Sequence, residues 1–185
     1  MARIIAFAGS PRGSGYTWSL LKELIKGAES GGGEVKVYDL NDPGFRGCQG
    51  CFHCRAHPEC TVTDYLTPFY TEIAEARGVV LASPIYFSDI TGQAKMLLDR
   101  LFPMLDGQAF QPRFPGKNAV TIFAHGDGNK KLFQPAMDRL HGFLHTFGWK
   151  LCDSLVCSDT SSPGGTLSDD LLKKAFAAGK RLAGN

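Results

Sequence analysis

The sequence predicts an α/β protein built on a five-stranded parallel sheet with helices on both faces, and three observations carry that reading. Short apolar runs alternate strictly with longer stretches of helical periodicity, glycines and prolines gather at a few turns, and no internal repeat or low-complexity tract breaks the pattern. Residues 4–8, 35–40, 79–82, 119–124 and 151–157 read as strands, because near-continuous apolarity is what a strand covered on both faces requires. Between them, Trp18, Leu21, Leu24, Ile25 and Ala28 share one helical face. So do Leu66, Phe69, Tyr70 and Ile73, and then Ala94, Leu97, Leu98 and Leu101. Phe133, Ala136, Met137, Leu140, Leu144 and Phe147 make a fourth stripe, and Leu171, Leu172, Ala175, Gly179 and Leu182 a fifth.

The 185 residues suit one domain spanning 1–185, with a cysteine-rich loop at 44–62. Apolar residues at 43% and charged residues at 21% exclude disorder and fibrous repeats. A net charge of +2 is too mild for a nucleic-acid footprint. The first apolar run is cut off by Gly9, Ser10, Pro11 and Arg12 before it could serve as a signal-peptide core, and no stretch approaches the roughly 20 residues of a membrane span. A cytoplasmic protein with no membrane partner is the expectation.

Open parallel sheets bind ligands beyond the carboxyl ends of their strands, where the winding reverses, so the loops there are the place to look for chemistry. After the first strand, residues 9–17 read Gly-Ser-Pro-Arg-Gly-Ser-Gly-Tyr-Thr and lead into a helix. Glycines let backbone N–H groups turn inward, the hydroxyls of Ser10, Ser14 and Thr17 can donate, Arg12 adds a guanidinium, and the helix N-terminus adds its positive dipole end. This suits a phosphate. No lysine precedes Thr17, so it is not a Walker A loop, and Trp18 stands where a dinucleotide fingerprint needs its third glycine. An ordinary capped turn would explain the serines but not Arg12.

Together with residues 83–95, Ser-Pro-Ile-Tyr-Phe-Ser-Asp-Ile-Thr-Gly-Gln-Ala-Lys, this loop resembles those of the NADPH-dependent FMN reductases of the flavodoxin-like superfamily, whose typical loops run GSPRxxGNT and SPxYxxxxxGxxK. The resemblance covers nearly the whole chain. It implies a flavodoxin-like three-layer sandwich with strand order 2-1-3-4-5, FMN as cofactor, and phosphate contacts from Ser10, Arg12, Gly15, Tyr16 and Thr17. Tyr16 stands where the family has Asn, so only its backbone N–H carries over.

In the second loop Pro84 ends the third strand and holds Ser83 extended, after which Ile85, Tyr86 and Phe87 put large apolar groups where solvation favours polar ones. A flavin ring would cover them, with Pro84, Ile85, Tyr86, Phe87, Ser88 and Asp89 lining its site; the bland reading is a loop tucked onto the core or a subunit interface. After the fourth strand, His125 and Gly126 can reach the ring's other side, and His125 titrates where it could tune a flavin anion, although a lone loop histidine is more often structural.

Cys48, Cys51, Cys54 and Cys60 lie within thirteen residues of the loop after the second strand. Three cysteines at successive two-residue gaps, with a fourth more distant, is an iron–sulfur pattern. Zinc is the rival, with His53 and His57 falling between the cysteines, and a loop that binds nothing is the third reading. The same spacing ahead of the helix leading to the third strand resembles the iron–sulfur flavoproteins, a branch in which a 4Fe-4S cluster exchanges electrons with FMN. Cys152 and Cys157 read as core thiols.

The resemblance implies an oxidoreductase that takes electrons from NAD(P)H or a reduced ferredoxin and gives them to a flavin, a quinone, another small acceptor or a protein. It also implies a homodimer or homotetramer, and no catalytic acid or base is required of the protein. The alternatives are a non-enzymatic flavodoxin-type electron carrier, against which the mild basicity speaks, and a zinc-bound interaction module on a flavodoxin scaffold.

Overall fold

A computed structural model describes residues 2–161 and 167–184. Its strands are β1 (Ala2–Ala8), β2 (Gly33–Asp39), β3 (Gly78–Tyr86), β4 (Asp89–Ile90), β5 (Asn118–Ala124) and β6 (Lys150–Cys157). Its α-helices are α1 (Tyr16–Ser30), α2 (Phe69–Glu72), α3 (Gly92–Arg100), α4 (Gln134–Thr146) and α5 (Asp169–Gly184). The parallel strands lie in the order β2-β1-β3-β5-β6, with β4 paired antiparallel to β3 alone. Leaving β4 aside, this is the doubly wound arrangement of the sequence reading, with the reversal between β1 and β3.

Each face of the sheet carries one apolar layer. Ile5, Phe7, Val79 and Phe123 point to one side and pack with Phe69, Leu97, Leu140 and Trp149. Ile4, Ala6, Val80 and Ile122 point to the other and pack with Leu21, Leu24, Ala175 and Leu182. The period of two along β1 sorts its side chains between the layers, which is why every position of that run had to be apolar. On the second face α1 and α5 approach so closely that a Cβ on Gly27 would lie 1.9 Å from the Phe176 carbonyl oxygen and one on Gly179 1.9 Å from that of Leu24. Any side chain at either position would push the helices apart.

Two elements differ from expectation. The stripe through Leu66, Phe69 and Ile73 is buried as its spacing requires, but the helix is only Phe69–Glu72, opened by Pro68 and closed by the turns that lead to β3. The added strand β4 arises because Phe87 and Ser88 both adopt left-handed backbone, φ 49° and 69°, and fold Tyr86 back onto Asp89 in a two-residue hairpin. Such turns usually announce themselves with Asn or Gly, and this one does not. Cys157 is buried as expected, whereas Cys152, on the exposed first half of the edge strand β6, is not a core thiol.

Among the described residues no helix is long and apolar enough to cross a membrane.

Candidate functional site: a cavity at the carboxyl edge and a cysteine pocket beside it

The loops after β1, β3, β5 and β6 converge on one cavity of about 310 Å³. Ser10, Arg12, Gly15, Tyr16 and Thr17 form one wall, Pro84, Ile85 and Tyr86 a second, and His125 and Gly126 a third. The first loop is braced from within. Gly15 N–H donates to the Arg12 carbonyl at 2.9 Å, the Trp18 indole N–H to the Ser10 carbonyl at 3.1 Å, and Arg12 N–H to the Ser10 hydroxyl at 3.3 Å. Helix α1 is preceded at its N-cap by Gly15, which offers no capping side chain, so the positive end of a 15-residue helix faces the cavity without an anionic or hydroxyl cap.

The third wall is held by the strand-end loops themselves. His125 N–H donates to the Cys157 carbonyl at 2.9 Å, and Thr160 N–H returns a bond to the His125 carbonyl at 3.2 Å. A Cβ on Gly126 would sit 2.1 Å from the Ser161 hydroxyl and 3.1 Å from the Ser161 Cβ, so a side chain there would have to displace that hydroxyl. The His125 ring is 3% exposed, lies edge-on to Phe133 at 5.0 Å, and among the described residues has no hydrogen-bond partner at either nitrogen. Leaving such a buried group unsatisfied costs about 1–3 kcal/mol. A polar ligand in the cavity would satisfy it, and FMN, with a phosphate for the uncapped helix and a heterocycle edge for an imidazole, fits this set of groups.

Four residues singled out in the sequence do not line the cavity. Ser14 lies outside it, and Phe87 and Ser88 form the hairpin tip, where Phe87 is wholly exposed. Asp89 turns its carboxylate to Arg139 at 2.7 Å and to the Ile90 N–H at 2.8 Å. Ala124, at the start of the third loop, lines it too, and the sequence reading missed Thr160 and Ser161, which do as well. Residues 158–161, Ser-Asp-Thr-Ser, follow the last strand, and applying the carboxyl-end rule to that strand as well would have found them.

Cys48, Cys51, Cys54 and Cys60 line one further, smaller pocket together with Arg100. All four are free thiols. Burial pushes the Cys54 thiol up, and the neighbouring sulfurs of Cys48, Cys60 and Cys51 push it further, as like charges gathered round one point must. Cys51, in contrast, is held below the ordinary thiol range by the Thr61 hydroxyl and the His53 backbone. Four unpaired thiols around one pocket are the donor set that a 4Fe-4S cluster uses.

His53, His57 and Glu59 form a second cluster of donor atoms, all within 4.8 Å of one another, on the outside of the same loop. The two imidazoles are stacked, 4.0 Å apart and 10° from parallel. An ion bound to an imidazole lies in the ring plane, so one ion shared by both rings would sit well out of at least one plane. As arranged, this cluster does not suit zinc.

A family model described as NADPH-dependent FMN reductase matches residues 2–147. The chain is 29% identical to an iron–sulfur flavoprotein of Methanocaldococcus jannaschii, covering 98% of this chain and 95% of that one. It is 26% identical to an iron–sulfur flavoprotein of Archaeoglobus fulgidus, covering 98% and 79% respectively. Among solved structures, an NAD(P)H:quinone oxidoreductase of Methanothermobacter marburgensis superposes with a TM-score of 0.74 at 20% identity over 100% of this chain and 96% of that one. An FMN-dependent NADH-azoreductase of Bacillus anthracis, solved with FMN, gives 0.71 at 14% identity over 99% and 100%. At these identities the two structures speak to the fold.

Proposed function

The chain belongs to the NADPH-dependent FMN reductase family and is an oxidoreductase, and from that premise we propose that it holds FMN in the 310 Å³ cavity, draws electrons from NAD(P)H or a reduced ferredoxin, and passes them to a flavin, quinone or other small acceptor, with a 4Fe-4S cluster on Cys48, Cys51, Cys54 and Cys60 as a second redox centre. The observation that carries the flavin site is His125, buried on the cavity wall with both ring nitrogens unpartnered, opposite a helix N-terminus that no side chain caps.

Bound FMN supplies hydride acceptance and electron release in ones or twos, which is what a pyridine nucleotide and an iron–sulfur centre jointly require. The chain supplies the rest. Backbone N–H groups at the start of α1 would bind phosphate, Arg12 would neutralise it, and the buried hydroxyls of Ser10 and Thr17 would orient it. Pro84, Ile85 and Tyr86 give the ring an apolar wall, and His125 offers a hydrogen bond to its polar edge. No protein acid or base is needed. That the relatives are named iron–sulfur flavoproteins supports the second centre. The adjacent Tyr86 and Phe87, both exposed at the hairpin, favour a homodimer or homotetramer, since a monomer would leave this aromatic tip in water.

Two measurements test the reading. NADPH added anaerobically should bleach the flavin of the FMN-loaded protein, and Arg12→Ala should weaken FMN binding about 10- to 100-fold, the worth of one charge-assisted contact. Flavin that stays oxidised would count against the nucleotide and leave reduced ferredoxin as the donor, and unchanged affinity in the variant would count against the phosphate assignment.

A further inference from the structure

The cysteine loop begins and ends on a single guanidinium. Arg100, the last residue of α3, is 1% exposed, and its side chain reaches back across the start of the loop. One terminal nitrogen donates to the Arg46 carbonyl at 2.9 Å, two residues before Cys48, and the other donates to the Val62 carbonyl at 3.1 Å, two residues after Cys60. The charge is balanced by Asp64, also buried, which Arg100 contacts directly. Asp64 in turn accepts from the N–H groups of Arg46 and Leu66, both at 3.0 Å. Phe45 and Tyr70 lie against the guanidinium at 5.8 and 5.9 Å.

The ion pair alone would explain a scaffold. Three features go further. Arg100 lines the same pocket as the four cysteines. Its Nε–H is buried and meets no acceptor, although every other polar atom of that side chain is placed. Val62, whose carbonyl Arg100 holds, lines that pocket as well, two residues after Cys60. A buried N–H on a residue that lines a pocket of thiols needs an acceptor, and sulfur carrying negative charge is the one at hand.

We propose that Arg100 is the positioning residue and fixed cation of the four-cysteine centre, tying both ends of the loop together and presenting its remaining N–H and its charge to the centre's sulfur. This rests on the reading of the cysteines as cluster ligands. Gaining an electron makes an iron–sulfur centre one unit more negative, and a fixed positive charge beside it stabilises that reduced form. Arg100 should therefore raise the reduction potential, and the buried Asp64 carboxylate should lower it. A residue that merely held the loop would change cluster content and stability, not the sign of a potential.

The test uses full-length protein loaded anaerobically with FMN, iron and sulfide, and compares R100Q, R100K and D64N by iron analysis and by a redox titration of the cluster followed by electron paramagnetic resonance. Retained FMN marks a folded variant. The potential is expected to move negative in R100Q, positive in D64N and least in R100K, which keeps the charge without the fork and should lose iron faster to a chelator. Unmoved potentials, or shifts of one sign in R100Q and D64N, overturn the proposal. If R100Q alone fails to load, the sign is read on D64N, where anything but a positive shift overturns it. If neither loads, R100K decides: it should still take up iron, and failure to do so with FMN retained makes Arg100 a scaffold only. Wild-type protein that takes up no iron would overturn the ligand reading itself, a result distinguishable from all of these.

Discussion

The Thr91 hydroxyl donates to the Gly9 carbonyl at 2.7 Å, across 82 positions of sequence, and so ties the loop after β1 to the junction of the β3–β4 hairpin with α3. The same oxygen accepts from Ala94 N–H at 3.3 Å to cap α3, while Thr91 N–H donates to the Ser83 hydroxyl at 3.1 Å. One buried side chain thus sets the distance between the loops proposed to hold the phosphate and the flavin ring. Thr91→Val keeps the shape and removes the bond. It should cost about 1–3 kcal/mol in a denaturant titration, and FMN affinity should fall with it. Normal affinity with lowered stability would mean that the two loops are set apart by packing rather than by Thr91.

His125→Leu should act in opposite directions on the two forms of the protein. In the flavin-free form it removes a buried imidazole with two unpartnered nitrogens, so the melting temperature should rise. In the loaded form it removes a ligand contact, so the stabilisation that FMN confers should shrink by mass action. Differential scanning calorimetry with and without FMN reads both. Lower stability of the flavin-free variant would show that His125 is a structural group.

Stability should fall on mild acidification because of His141, which packs behind β5 with its Nε2 atom 3.1 Å from the Thr121 hydroxyl. Burial pushes this histidine below its ordinary value of 6.5, with Asp138 opposing only in part. The unfolded chain then binds a proton that the folded one refuses, so its contribution is present above about pH 6.5 and is lost as the pH falls toward the lowered folded value. Replacing it as His141→Gln should flatten the stability profile between about pH 5 and 7. A variant profile parallel to the wild type would assign the acid sensitivity elsewhere.

The sheet and three of the four cavity loops were legible because each has a local cause: unbroken apolar runs, a Gly-rich turn ahead of a helix, a proline ending a strand; the strand order came from the family resemblance. The hairpin at Phe87 and Ser88 was not, since both residues take left-handed backbone that their side chains disfavour and that the surrounding structure imposes. This is also why Phe87 and Asp89, expected at the cavity, do not line it: a turned tip carries them away from it. Arg100 reads in sequence as a charge in the last turn of a helix, where basic residues are common. Nothing local reveals that it is buried, because its partners Asp64, Arg46 and Val62 are 36 to 54 positions away.

The central claim is that one chain carries both a flavin and an iron–sulfur centre, and metal and cofactor analysis after anaerobic reconstitution with FMN, iron and sulfide tests it most directly. The four cysteines that line one pocket should bring in about four iron and four sulfide per chain, the content of a single cubane, alongside one FMN. FMN bound with iron and acid-labile sulfide near zero, and with Cys48, Cys51, Cys54 and Cys60 intact as free thiols, would contradict it.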